Sequence, residues 1–357
     1  MALNVVSSDR LSTNVKTSNL ATDLSDKVGE SKNLIINGAM SVAQRGTSST
    51  SGDGYNTVDR IKLAASGPDE NPTQTQHTLT SSDTGPWEKG LRYSWHLQNG
   101  NQTSGAGAGD VMAMVYKVEA HDIAQSGWDY TSTSKDVTMS FWIKSSVAQA
   151  FYVQLIAHDV SGAYNYTFST GSLSADTWTK VTKTIPGNSN LVFNNDTGEG
   201  FEIYYYAFNG TNRSDSGFTL NTWAAYASGS QTPDMTSTWY TTNDSTLEIT
   251  GLQLEVGDTA TEFEHRSYGD ELARCQRYYQ TVPDSVLTSG YGSADGYSRG
   301  SHIYVQTMRA SPTLTITETS TGSKIAQATS KDGFYATFDG LTGSGASLFN
   351  FIATAEL

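Results

Sequence analysis

The chain has 357 residues, with 22 Lys and Arg against 36 Asp and Glu, a net charge of −14. Only 16% of residues are charged, while 36% are hydrophobic and 11% aromatic. The acidic balance excludes a general nucleic-acid binder, the aromatic content excludes a disordered chain, and a single cysteine, Cys275, excludes an internal disulfide framework.

Residues 1–10 (MALNVVSSDR) lack the cationic start and apolar stretch of a secretory signal, so folding in the cytosol where the chain is made is expected. No apolar run approaches the ~20 residues that span a bilayer, and membrane insertion is not expected. Residues 1–31 are polar, with apolar beads at Leu11, Val15, Leu20, Leu24 and Val28. So thin a stripe does not stabilise an isolated helix. The segment reads as an extended or helical attachment and oligomerisation element that orders against copies of itself or another protein; the alternative is a disordered leader.

From Asn33 to Arg266 strand signals recur. Residues 137–144 (VTMSFWIK) alternate Val137, Met139, Phe141 and Ile143 with polar residues and Trp142. Residues 151–158 place Phe151, Val153, Leu155 and Ala157 on one face, and residues 201–208 place Phe201, Ile203, Tyr205 and Ala207 on one face. Period two with one apolar face is the pattern of a half-buried antiparallel strand. The dipeptides Asn37-Gly38, Asn99-Gly100, Pro186-Gly187 and Asn209-Gly210 mark turns, with a positive-φ corner expected at Asn37-Gly38. Many short strands without intervening helices predict a mainly β chain, an antiparallel β-sandwich of jelly-roll type over residues 32–266.

Residues 267–280 (SYGDELARCQRYYQ) change period. Ser267 with Asp270 three residues on makes a capping-box-like start, and Leu272, Cys275 and Tyr279 share a helical face. One short connecting helix is predicted, with Cys275 as a small buried hydrophobe. Beyond Pro283, strands are expected at residues 303–308, 314–317, 333–338 and 347–355, giving a small second β module over 281–357 that leans on the first domain or on symmetry mates.

Two motifs bracket the first domain. Residues 33–46 (NLIINGAMSVAQRG), followed by Tyr55, Asp59 and Arg60, open it; residues 249–258 (ITGLQLEVGD) and 263–279 (FEHRSYGDELARCQRYY) close it. Together with residues 120–130 (AHDIAQSGWDY), they resemble a domain of bacteriophage tail-fibre and other virion proteins, the marine-phage type in particular, and more broadly carbohydrate-binding-module jelly rolls. The resemblance implies a virion (tail) location, a homotrimer, and attachment to other tail or virion proteins through residues 1–31. It also implies adhesion to host surface polysaccharide or lipopolysaccharide. Carbohydrate-binding jelly rolls often hold a structural Ca2+ ion, for which Asp53, Asp59 and Glu255 would be hard oxygen ligands; hydrogen-bonded carboxylates are the plainer reading, and no other cofactor is implied. Arg45 and Arg60, near Asp53, Asp59 and Glu255 in a charge-poor chain, read as internally paired staples, with ligand binding the minority reading.

The sharpest binding candidates are Trp142, Tyr152, Gln154, His158, Tyr204 and Tyr206, which fall opposite the core residues of the central strands. Aromatic rings stack on the C–H faces of sugars, while Gln and His satisfy hydroxyls. The alternative is that this face packs against the terminal module, the Ser267 helix or a neighbouring chain. The loop aromatics Trp87, Trp128, Trp223, Trp239, Tyr291 and Tyr297 are second-tier candidates. The six histidines show no His-x-x-x-His pairing, and Gly105–Gly109 lacks dinucleotide-loop spacing. No catalytic residue is singled out, and a non-enzymatic virion protein is expected. A decoration or adaptor protein binding other virion proteins is the alternative, with a glycan hydrolase behind it.

Overall fold

A computed structural model describes residues 32–289, 298–318, 323–339 and 346–357. The expectations for residues 1–31, and for Tyr291 and Tyr297, lie outside the described residues. In chain order the strands are β1 (Ser48–Ser49), β2 (Lys62–Ser66), β3 (Thr73–Thr78), β4 (Tyr93–Gln98), β5 (Val111–Glu119), β6 (Asp136–Ser145), β7 (Ala150–Ala157), β8 (Tyr164–Ser172) and β9 (Thr179–Pro186). They continue as β10 (Glu199–Asn209), β11 (Trp223–Ala225), β12 (Thr246–Val256), β13 (Tyr279–Ser289), β14 (Ser298–Ile303), β15 (Thr313–Glu318), β16 (Ser323–Thr329), β17 (Gly333–Asp339) and β18 (Ala346–Thr354). The described helices are α1 (Ala120–Ala124), α2 (Thr238–Thr241) and α3 (Tyr268–Gln276). Among the described residues, no helix is long and apolar enough to cross a membrane.

The first sheet runs β1-β3-β4-β12-β6-β9 and the second β11-β8-β7-β10-β5-β2. Their ladders are antiparallel throughout. The chain crosses repeatedly between sheets (β4 to β5, β5 to β6, β6 to β7), which is the jelly-roll sandwich the strand pattern predicts. The inward residues are those the alternation selects. Val137, Met139, Phe141 and Ile143 of β6 meet Phe151, Val153 and Leu155 of β7, and Phe201, Ile203 and Tyr205 of β10, in one buried cluster.

In β12 the inward parity changes midway. Leu247 and Ile249 are buried, and so are Leu252 and Leu254. A strict period of two would send the second pair outward. The ladder to β6 slips between Thr250 and Gln253, and Gly251 sits there at φ 65°, so one extra residue returns Leu252 and Leu254 to the core.

The two bracketing motifs are hydrogen-bonded to each other. Asn33 Nδ2 donates to the Leu252 carbonyl at 2.9 Å, and its Oδ1 accepts from the Leu254 amide at 3.0 Å. At Asn37-Gly38 the positive φ, 61°, belongs to Asn37, not the glycine. Gly38 is needed for a different reason: a Cβ there would stand 2.1 Å from the Leu252 carbonyl oxygen.

Helix α3 starts as expected, with Ser267 Oγ accepting from the Asp270 amide at 3.2 Å. It is shorter than the sequence suggests and ends at Gln276; Tyr279 already begins β13, and Tyr278 takes the packed position beside Cys275, Ile36 and Val42. Helices α1 and α2 add to the single helix expected. Arg45 and Arg60 are staples, but with a partner the sequence reading did not name. Glu356 ion-pairs with Arg45 at 3.0 Å and with Arg60, while Asp59 lies 3.6 Å from Arg45. Arg60, 1% exposed, also donates to the Lys117 carbonyl at 2.7 Å and lies 3.5 Å from the centre of the Tyr278 ring.

The C-terminal module pairs β13-β18-β15 and β14-β17-β16 around Tyr304, Met308, Phe334, Phe338 and Phe351. Strands β13, β14 and β16 escaped prediction. Pro283 lies inside β13, and a register slip between Val282 and Val286 absorbs it; β16 (SKIAQAT) has no run of large apolar residues at period two. The strand expected at 303–308 shares only Ile303 with β14, which lies before it. Beyond Ile303, Tyr304 and Met308 donate their amides to Asp332 and Lys331 in a loop contact. This module and the sandwich fall within one compact unit, Asn33–Leu357.

Candidate functional site

Strands β7 and β10 pair with Tyr204 opposite Gln154 and Tyr206 opposite Tyr152. Because Phe151, Val153 and Leu155 face the core, Tyr152, Gln154 and His158 must face out, and Tyr204, Tyr206 and Glu202 face out beside them. Strand β5 extends the same surface, placing Lys117 opposite Glu202 and Ala113 opposite Tyr206. Five of the six predicted residues therefore share the outer face of the second sheet.

That face is partly covered. Residues 226–235 fold over it, with Gln154 Nε2 and Thr167 Oγ1 donating to the Gln231 carbonyl at 3.2 and 2.9 Å. The Tyr206 hydroxyl lies 3.0 Å from Gln154 Oε1 and 2.9 Å from Gln231 Oε1; its single proton serves one of the two acceptors. Gln154 is 0% and Tyr206 2% exposed. These two side chains are sealed beneath the cover and meet no solvent.

What stays open lies beside the cover. Tyr152, Tyr204 and Tyr226 are half-buried and His158 is exposed. The Tyr204 ring stacks on buried Tyr206, with centroids 5.3 Å apart and planes 9° from parallel. His158 Nε2 is 3.2 Å from Glu202 Oε2 and 3.6 Å from Glu199 Oε1, and Lys117 Nζ reaches Glu199 at 3.1 Å and Glu202 at 3.3 Å. The hydrogen bond to Glu202 raises the His158 pKa above the ordinary imidazole value. Burial pushes Glu202 upward, but its hydrogen bond with His158 and the Lys117 charge outweigh that and hold it below the usual carboxylate range. Burial, then the Glu202 charge, pushes the Tyr204 hydroxyl up, so it is a neutral donor.

Trp142 is elsewhere. Strand β6 belongs to the first sheet, so Trp142 faces out from the opposite side of the sandwich, next to Thr250 and Lys180. Alternation told which side of its strand Trp142 occupies; it did not tell which sheet the strand joins. The ring lies under Gly85, where a Cβ would approach Cζ3 to 2.6 Å. Near it is a polar network that sequence reading missed. Lys144 Nζ bridges Glu248 at 2.8 Å and Asp83 at 3.1 Å; Trp178 Nε1 donates to Asp83 at 3.0 Å; His77 and Ser94 contact Glu248 at 2.9 and 2.7 Å. Burial raises Asp83, yet the Trp178, Thr80 and Lys144 contacts bring its pKa down to about 2. Outward polar residues at period two in β4, β6 and β12 were the available signal.

Of the loop aromatics, Trp128, Trp223 and Trp239 are core residues, each indole N–H satisfied by a carbonyl (Lys135, Pro186 and Thr246). Trp87 is half-buried, with the Arg92 guanidinium 3.8 Å above its ring. Asp53, Asp59 and Glu255 have separate partners: Lys62 for Asp53, Gln44 and Arg45 for Asp59, and Gln253 and Thr261 for Glu255.

No family model matches the chain, and no curated protein does. Solved structures similar to it include the N-terminal cellulose-binding domain of Cellulomonas fimi β-1,4-glucanase C, at 10% identity and TM-score 0.27 over 62% of this chain and 99% of that one. The CBM22-2 xylan-binding domain of Paenibacillus barcinonensis Xyn10C aligns at 16% identity and TM-score 0.28 over 55% of this chain and 91% of that one. The enzymatically active domain of bacteriophage CBA120 tailspike protein 4 aligns at 8% identity and TM-score 0.32 over 63% of this chain; the chain spans only 21% of that one. At these scores none of the likenesses decides anything about this chain.

Proposed function

We propose that the protein is a non-enzymatic, glycan-binding adhesin of a phage virion, a tail-fibre protein acting as a trimer on host surface polysaccharide or lipopolysaccharide. One observation carries the sugar reading: Tyr204 is half-exposed, stacked flat on a buried tyrosine, and rimmed by Tyr152, His158 and Glu202. A ring already immobilised by stacking loses little further freedom when a sugar lies on it, and the flanking imidazole and carboxylate can bond its hydroxyls. Exposed apolar side chains on the C-terminal module, Ile303, Val305 and Tyr335, support assembly with further copies. Three sites held on one fibre would gain through effective concentration, so none need be tight. In this reading residues 1–31 join the fibre to other virion proteins.

The test is binding of the full chain to arrayed bacterial polysaccharides. Tyr204→Ala is expected to lower binding at least tenfold, and Trp142→Ala to leave it unchanged. Loss only in Trp142→Ala would move the site to the first sheet, and release of reducing ends would overturn the non-enzymatic reading. A decoration or adaptor role is the second reading. It is favoured by the cover of residues 226–235, which seals Gln154 and Tyr206, and absence of binding to every glycan would leave it standing.

A further inference from the structure

We infer that His158, Glu199 and Glu202 form a zinc-binding site at the edge of the second sheet's outer face. Their nearest ligand atoms all lie within 4.8 Å of one another. Ligands about 2.0–2.1 Å from a tetrahedral zinc ion stand about 3.3–3.4 Å apart. The His158–Glu202 and His158–Glu199 separations, 3.2 and 3.6 Å, already approximate two such edges.

Lys117 would share both carboxylates with the ion. Its ammonium contacts Glu202 through Oε1 and Glu199 through both oxygens, while the atoms turned to His158 are Glu202 Oε2 and Glu199 Oε1. Glu199 Oε1 is sealed from solvent and, although Lys117 Nζ is 3.1 Å away, receives no hydrogen bond. The oxygen is ion-paired with Lys117 but has no N–H aimed at it, so it keeps lone pairs for a further cation. A cation bound between the three side chains would satisfy it while Lys117 stays in place as an outer partner orienting both carboxylates. An imidazole with two carboxylates suits zinc better than calcium, which takes oxygen ligands in larger number. His158 is exposed, leaving a fourth position for water. With zinc bound, His158 and Glu202 would be ligands and a sugar would meet the Tyr204 ring, so the metal is titrated without glycan to read this site by itself.

The experiment titrates the metal-free full chain with Zn2+ alone by calorimetry and with Co2+ by visible absorption, no glycan present. One equivalent of Zn2+ per chain and an intense tetrahedral cobalt spectrum are expected. His158→Ala should weaken binding at least a hundredfold, Glu199→Gln and Glu202→Gln at least tenfold each, and His77→Ala should not change it. Zinc binding unaltered in His158→Ala, no stoichiometric binding by the wild type, or a weak octahedral cobalt spectrum each overturns the assignment. The wild-type cobalt spectrum decides the matter even if a variant fails to fold.

Discussion

Asn33 and Leu252 are 219 residues apart in the chain and hydrogen-bonded in the fold, with the Asn33 side-chain amide donating to the Leu252 carbonyl at 2.9 Å. The other end of the same amide accepts from Ile35 and Leu254. A single buried side chain thus replaces a rung of sheet where the opening segment meets β12. Asn33→Ala leaves those backbone groups without partners and is expected to cost about 2–3 kcal/mol, read from denaturant midpoints at constant m. A loss under about 0.5 kcal/mol would mean that water substitutes for the amide.

The buried Arg60–Glu356 pair leads to an asymmetric prediction. Glu356→Gln removes the anion and strands a guanidinium that is 1% exposed, so about 3–5 kcal/mol should be lost. Arg60→Met with Glu356→Gln removes both charges and should recover much of that loss. Additive losses in the double variant would show that the charges are not coupled.

Asp83 gives a pH dependence. Its pKa is depressed to about 2, so the stability it contributes is complete above the ordinary value near 4 and disappears as pH falls from about 4 toward 2. Asp83→Asn should therefore destabilise the protein by about 1–2 kcal/mol at neutral pH, toward the low end for charged hydrogen bonds because the site is partly open. The difference from wild type should close in acid. A gap that persists unchanged at pH 2 would assign the effect to packing.

The bulge in β12 has its own test. Gly251→Val puts a β-branched residue at φ 65° with its Cβ 2.8 Å from the Leu91 side chain, so stability should fall by about 2 kcal/mol or more, read from denaturant midpoints. Gly38→Ala, which drives a methyl into the Leu252 carbonyl, should destabilise by about 2 kcal/mol or more without abolishing the fold.

The sandwich could be read from the sequence because β6, β7 and β10 alternate cleanly, and α3 because Ser267 and Asp270 announce its start. The site was only half readable. Period two assigns Tyr152, Tyr204 and Trp142 to the outer faces of their strands, but sheet membership depends on pairings with residues far away, and Trp142 joined the wrong group for that reason. The cover over Gln154 and Tyr206 depends on the path of a loop, which has no periodicity to read. Glu199 and Glu202 lie on β10, Lys117 on β5 and His158 just after β7, and only the β5–β10 and β7–β10 registers bring them together. Glu356 was missed as the partner of Arg60 because nearly three hundred residues intervene.

Because Arg266 donates to the carbonyls of Asn33 and Ile35, and Asn33 is bonded to β12, the chain enters and leaves the sandwich at one pole. Tension transmitted along the polypeptide would pass across that short clamp, and the sheets carrying Tyr204 and His158 would hang beside the line of force. A chain pulled at Asn33 and Arg266 would keep that outer face intact until the clamp itself gave way.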